Sequence, residues 1–225
     1  MITLTDGKKS NRDREEPRVE VQKDQEASGQ EERLEEQEIA FLKTMQEIIN
    51  ETAVFGGGCF WCTETVFLQL KGVKSVMPGY TGGTLPNPTY EQVCEGNTRH
   101  VESVKIEFDP VVISFDDLLS VFFNTHDPTT LNHQGNDVGA QYGSAIFYSN
   151  EEQKVKALAL VAELNAAEAY DKPVVTVVKP LQTFYEAEDY QRNFYQKNKD
   201  SPYCNLVIAP KLEKLQERFK DLLKE

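Results

Sequence analysis

Two cysteines three residues apart follow a run of three glycines in Ala53-Val54-Phe55-Gly56-Gly57-Gly58-Cys59-Phe60-Trp61-Cys62. The residues before the glycines read as a strand, and those after them as a helix whose first turn carries Cys59. Unpaired backbone N–H groups and the positive end of the helix dipole meet at such a turn, and both favour a thiolate. The glycines let another molecule approach closely. Cys59 is therefore a candidate nucleophile, set against the ordinary alternative of a small core cysteine. Phe60 and Trp61 are either core or an apolar wall holding a small hydrophobic group beside the sulfur. Zinc would need two further ligands at suitable spacing, and Cys94 and Cys204 are not paired with a nearby Cys or His. No metal is expected. A thioredoxin-like dithiol stays as an alternative. No Lys-Ser/Thr follows the glycines, so they make no phosphate loop.

A carboxylate completes the candidate chemistry. In His100-Val101-Glu102-Ser103-Val104-Lys105-Ile106-Glu107-Phe108, alternate residues share a face. Val104, Ile106 and Phe108 mark the buried face, and Glu102 and His100 share it. Lys105 and Glu107 point the other way. Desolvation favours the protonated carboxyl, which makes Glu102 a candidate proton donor at neutral pH. A strand end already in solvent is the alternative.

These residues need a scaffold. Strands are expected over 52–55, 73–80, 100–108 and 145–148, with helices over 59–70 and from Ser114 to Asn124. Ser114 supplies an N-cap, and Asp116 and Asp117 lie near the positive helix end. The order β-α-β-β-α-β is the split ferredoxin-like arrangement, an α+β two-layer sandwich. A helix over 151–170, a strand over 174–178, a helix over 186–197 and a C-terminal helix over 211–224 follow. Residues 1–50 read as a charged arm, disordered and then forming an amphipathic helix over about 32–49. Residues 51–225 form the globular domain.

The 225 residues carry 37 acids against 24 bases, a net charge of −13. Residues 1–50 hold 13 acids and 8 bases, the rest 24 and 16. Nucleic acid and anionic membrane are disfavoured as partners, because both need a basic footprint. No run of about 18 apolar residues is present for a membrane span. The N-terminus has no signal-peptide core and is too acidic for a transit peptide, so the cytoplasm is the expected location. Four cysteines there are expected to be reduced.

Several stretches together resemble the A-type peptide methionine sulfoxide reductases. They are Gly58-Cys59-Phe60-Trp61, Gly79-Tyr80-Thr81-Gly82-Gly83, Asn87-Pro88-Thr89-Tyr90-Glu91-Gln92-Val93 and Gly96-Asn97-Thr98-Arg99-His100-Val101-Glu102. His126-Asp127-Pro128-Thr129-Thr130, the run from Asn132 to Asp137, Gln141-Tyr142 and Phe184-Tyr185-Glu186-Ala187-Glu188 continue the match to about residue 210. The resemblance implies that Cys59 is the nucleophile and that Phe60 and Trp61 hold the sulfoxide methyl. It implies Glu102 as proton donor, Tyr90 and Tyr142 around the sulfoxide oxygen, and Asp137 on the substrate backbone. Two positions depart from the family pattern. Gln191 stands where a His is usual, and Phe194 where a Tyr is usual, with Tyr195 beside it.

The implied reaction reduces methionine S-sulfoxide in oxidised proteins or as the free amino acid. It passes through a Cys59 sulfenic acid and a disulfide, needs no bound cofactor, and is renewed by thioredoxin. Two thiols compete to resolve the sulfenic acid. Cys62 lies at i+3, inside the disulfide window. Cys204, in Ser201-Pro202-Tyr203-Cys204, matches a resolving Tyr-Cys of many family members and is expected in a flexible segment. Cys62 is favoured for the first disulfide, with Cys204 passing it on. Cys94 reads as a bystander. A general dithiol–disulfide oxidoreductase is the competing activity.

Overall fold

The structure, a computed structural model, describes residues 50–224 continuously and, before them, Arg33, Gln37, Ile39 and Phe41. Those four are helical. The remaining expectations for the arm, its disordered stretch and the rest of its helix, lie outside the described residues.

The sheet is built from β1 (Glu51–Gly57), β2 (Val73–Thr81), β3 (Val101–Phe108), β6 (Ser144–Tyr148), β7 (Val177–Pro180) and β8 (Tyr185–Glu186). Their order is β7-β6-β1-β3-β2-β8. The four inner strands are antiparallel neighbours, as the split arrangement requires, and only β7 runs parallel to its neighbour. The helices are α1 (Phe60–Leu68), α2 (Tyr90–Cys94), α3 (Phe115–Thr125), α4 (Glu151–Ala166), α5 (Phe194–Lys197) and α6 (Ala209–Arg218). A small hairpin pairs β4 (His133–Gln134) with β5 (Asp137–Val138).

The core explains why this order closes. Phe55 on β1 packs its ring on Phe67 of α1 and on Phe115 and Phe122 of α3, at centroid distances of 5.6, 5.9 and 4.9 Å. Each buried ring contributes about 1.5–3 kcal/mol. Ser114 caps α3 with a full capping box, accepting from Asp117 N–H at 3.1 Å while Asp117 accepts from Ser114 N–H at 3.0 Å.

The later elements differ from expectation. The helix from residue 151 stops at Ala166, because Glu168 turns left-handed (φ +50°) and Ala169 N–H bonds back to Leu164 O at 3.0 Å. The strand expected over 174–178 begins at Val177, since Val175 N–H is spent on Pro128 O at 2.8 Å. The helix expected over 186–197 is reduced to its last turn. Tyr185–Glu186 instead pairs with Gly79 and Tyr80, and Asp189–Gln191 makes one 3₁₀ turn. Asn193 turns left-handed (φ +53°), and only Phe194–Lys197 is helical. A Cβ at Gly79 would strike the Tyr185 carbonyl, so this pairing needs the glycine. The C-terminal helix starts earlier and ends sooner. A π-helical turn, Cys204–Ile208, leads into α6. The end returns to the α1–β2 turn, where Lys71 N–H donates to Leu222 O at 2.7 Å.

Among the described residues, no helix is long and apolar enough to cross a membrane.

Candidate active site

Cys59 is the last residue before α1, with φ −56° and ψ 126°. Its carbonyl accepts the N–H of Cys62 at 3.1 Å and of Thr63 at 3.4 Å, so the helix starts on it. Gly58 turns the chain at φ +88°, and a Cβ there would collide with the Gln134 side chain at 2.6 Å. Only glycine meets both demands. Cys59 keeps a little exposure, 7 %, whereas Cys62 and Cys204 are sealed.

One side of Cys59 is a dry proton-holding wall. Glu102 is buried, as strand parity requires, and its Oε2 accepts Phe60 N–H at 3.0 Å. Burial pushes its carboxyl up to about 8, outweighing that N–H. Glu102 is therefore mostly neutral at pH 7. Tyr90 and Tyr142 lie within reach of its charge, and burial raises both phenols. Glu188 anchors this wall: it accepts Tyr80 O–H at 2.9 Å and Tyr90 N–H at 2.9 Å. Phe60 is wedged between Tyr80 and Tyr90, with ring centroids 5.8 and 6.3 Å away. His100 supports the strand start, its Nδ1 accepting Gly83 N–H at 3.2 Å.

The other side opens. Cys59, Cys62, Asp137, Tyr203, Leu206 and Lys211 line a pocket of about 390 Å³. Tyr203 O–H donates to Asp137 Oδ2 at 2.9 Å and lies 3.7 Å from Cys62 Sγ. Burial works against the expected Cys59 thiolate. It pushes the Cys59 thiol well up, and the hydrogen bond to Cys62 pushes the same way. Cys62 goes down to about 7, first through the hydrogen bond from Cys59, against burial, and then through Lys211. The two thiols share their protons as a pair.

Trp61 is clamped from the segment that replaced the expected helix. Its Nε1–H donates to Gln191 Oε1 at 2.8 Å. Phe194 stacks flat on the indole, 3.6 Å between centroids at 5°, and Tyr203 meets it edge-on at 5.6 Å. Glu64, one turn along α1, accepts Asn193 N–H at 2.9 Å. Both departures from the family pattern, Gln191 and Phe194, thus bear on one side chain.

A family model of peptide methionine sulfoxide reductase matches residues 51–223. The chain belongs to this family. A reductase named MsrA from Saccharolobus solfataricus is 55 % identical over 174 residues, covering 77 % of this chain and 97 % of that protein. Another from Acinetobacter baumannii is 53 % identical over 175 residues, covering 78 % and 99 %. Among solved structures, methionine sulfoxide reductase A of Corynebacterium diphtheriae aligns at 34 % identity and a TM-score of 0.61, covering 67 % of this chain and 76 % of that one. Reduced Mxr1 from Saccharomyces cerevisiae aligns at 29 % and 0.65, covering 70 % and 90 %.

In this reductase, Glu102, Trp61 and Tyr90 gather around Phe60, Cys62 and Asp137 both lie against Tyr203, and Tyr142 packs on the cluster of Cys59, Cys62 and Cys204. Cys204 arrives differently from expectation. It sits in the π-helical turn, packed in the same cluster as Cys59 and Cys62, and its N–H donates to Ser201 Oγ at 3.2 Å. Four participants were not assigned roles from sequence: Glu188, Tyr203, Lys211 and Glu64. Tyr203 and Glu188 stand inside the quoted motifs; Lys211 and Glu64 carry no local signal. Cys94 is exposed and lies against Tyr90. Among the described residues, no group of His, Cys, Asp or Glu is arranged to hold a metal ion.

Proposed function

We propose that this chain carries out its family's reaction, reduction of methionine S-sulfoxide to methionine, with Cys59 as the nucleophile. One observation supports the roles most directly: the buried Glu102 carboxyl accepts the N–H of Phe60, beside Cys59, whose thiol shares a buried cluster with Cys62 and Cys204. The Cys59 sulfur attacks the substrate sulfur as its proton passes to Cys62. Glu102 gives its proton to the sulfoxide oxygen, which Tyr90 and Tyr142 hold. Phe60 and Trp61 seat the methyl group, and Asp137 holds the substrate backbone. The S–S bond formed by the attack then breaks as the protonated oxygen passes from the substrate sulfur to the Cys59 sulfur; the substrate sulfur keeps two electrons, methionine leaves, and Cys59 is left as a sulfenic acid.

Cys62 then attacks the Cys59 sulfur. The S–O bond breaks, water leaves, and a Cys59–Cys62 disulfide forms. Cys204, in the same buried cluster, passes the disulfide on by exchange. Thioredoxin, an external dithiol, restores the thiols. The role is repair of oxidised proteins, and four free cysteines suit a reducing cytoplasm.

The test is reduction of methionine S-sulfoxide with dithiothreitol. Activity should vanish in Cys59→Ser. Insulin-disulfide reduction without sulfoxide activity would instead support a general dithiol oxidoreductase. Mass mapping after one turnover should find Cys59–Cys62; a Cys59–Cys204 bond alone would reverse the order of the two thiols.

A further inference from the structure

A second concavity lies near the site and has no part in the chemistry above. It encloses about 220 Å³. Buried Ala145 and Phe147, with half-buried Val101, form its apolar wall. Leu131 and Val177 stay 68 % and 39 % exposed beside it. Arg99 and Lys179 line it too, both exposed, and no described hydrogen bond or ion pair engages either cation's side chain. No acidic side chain lines it, although the chain carries 37 acids against 24 bases. An apolar pocket with two unneutralised cations suits a ligand that presents an apolar group next to a carboxylate.

The same loop borders both concavities. Gln134, Gly135, Asn136 and Asp137, around the hairpin tip, line the pocket that holds Cys59. Thr130, Leu131, Asn132, Ala140 and Gly143, at the hairpin base, line the second pocket. Val138, on the hairpin itself, is 77 % exposed. A polypeptide whose oxidised methionine sits at Cys59 would pass along this shared loop toward the second pocket, extending about 3.3–3.6 Å per residue.

We propose that this second pocket, between Arg99, Lys179 and the base of the 133–138 hairpin, is a subsite for the polypeptide substrate. It takes an apolar side chain adjoining an acidic one, a few residues from the methionine sulfoxide. The proposal rests on the reductase reading of Cys59. The subsite adds binding energy for proteins and peptides, and none for the free amino acid. Its contribution appears in KM and weakens with salt, as for any exposed charge contact.

The test compares free methionine S-sulfoxide with peptides carrying one methionine sulfoxide and a Leu-Asp pair two to six residues away, against matching Leu-Lys peptides. The unaltered protein should show a lower KM for at least one Leu-Asp spacing than for its Leu-Lys counterpart. In the double variant Arg99→Gln, Lys179→Gln, KM for that peptide should rise about fivefold, with kcat and the free amino acid unchanged. Leu131→Ser should raise the same KM and leave the charge preference intact. Equal KM values across the two peptide series, or a double variant that leaves their ratio unmoved, would overturn the subsite. Failure of the unaltered protein to reduce free methionine sulfoxide would strike the Cys59 reading instead.

Discussion

The two sides of Cys59 use burial to opposite ends. On the sheet side, Glu102 loses solvent and gains one N–H, which is too little to keep it ionised, so it rises to about 8. On the helix side, Cys62 is just as deeply buried but receives a hydrogen bond from Cys59 and the charge of Lys211, and it falls to about 7. Burial alone raises any acid. What separates the two is how many donors and cations face each group. One wall stores a proton for the leaving oxygen, and the other stores a negative charge for the thiol chemistry.

The largest test of this contrast is Glu102→Gln. Loss of the proton donor should lower kcat by about 100-fold or more. In the unaltered protein, activity should fall as pH rises through about 8, because the acid must be protonated. That limb should disappear in the variant. Stability should respond as well. The folded carboxyl sits above its ordinary value of about 4.3, so the folded state binds the extra proton. Its stabilising contribution is full below the ordinary value and is lost as pH rises through about 8. Glu102→Gln should flatten that slope in chemical denaturation across pH. An unchanged alkaline limb would remove Glu102 from the proton step.

Cys62→Ser tests the opposite wall with a smaller effect. One turnover should survive at a reduced rate, because Cys59 can still take the oxygen but loses Cys62 as the acceptor of its proton. Repeated turnover with thioredoxin should fall about 10-fold or more, since a longer route through Cys204 must then resolve the sulfenic acid. Equal steady-state rates would give the resolving role to Cys204.

How far these walls were legible follows the same division. Glu102 could be read because strand parity is local and periodic, and its neighbours Val104 and Ile106 mark the face. The position of Cys59 could be read from the strand, the glycines and the helix start. Its ionisation could not, because that depends on the seal over the site. The resemblance supplied Tyr90, Tyr142 and Asp137 by motif. The segment after residue 180 resisted reading, because its shape is set by contacts made elsewhere. Glu188 is fixed by Tyr80 and Tyr90, Gln191 by Trp61, and Asn193 by Glu64. Its sequence has helical composition, but those anchors pull its backbone out of the helix.

Lys211 is the mildest way to separate the two walls, because it touches only one. It lines the pocket with Cys62 and also a small cavity with Gly57, Thr63 and His126. Its charge lowers Cys62, behind the larger effect of the Cys59 hydrogen bond. Lys211→Met should therefore raise the pH at which the Cys62 thiolate forms, while the alkaline limb set by Glu102 stays where it is. Ultraviolet thiolate absorbance, followed across pH, reads the first; the pH profile of kcat reads the second. At pH 7 the resolving step should slow about two- to threefold, as a smaller share of Cys62 is ionised. Lys211→Arg should restore the lower value, because it returns the charge. If Lys211→Met moved the alkaline limb as well, the two sides of Cys59 would titrate as one unit, and the contrast between them would fail.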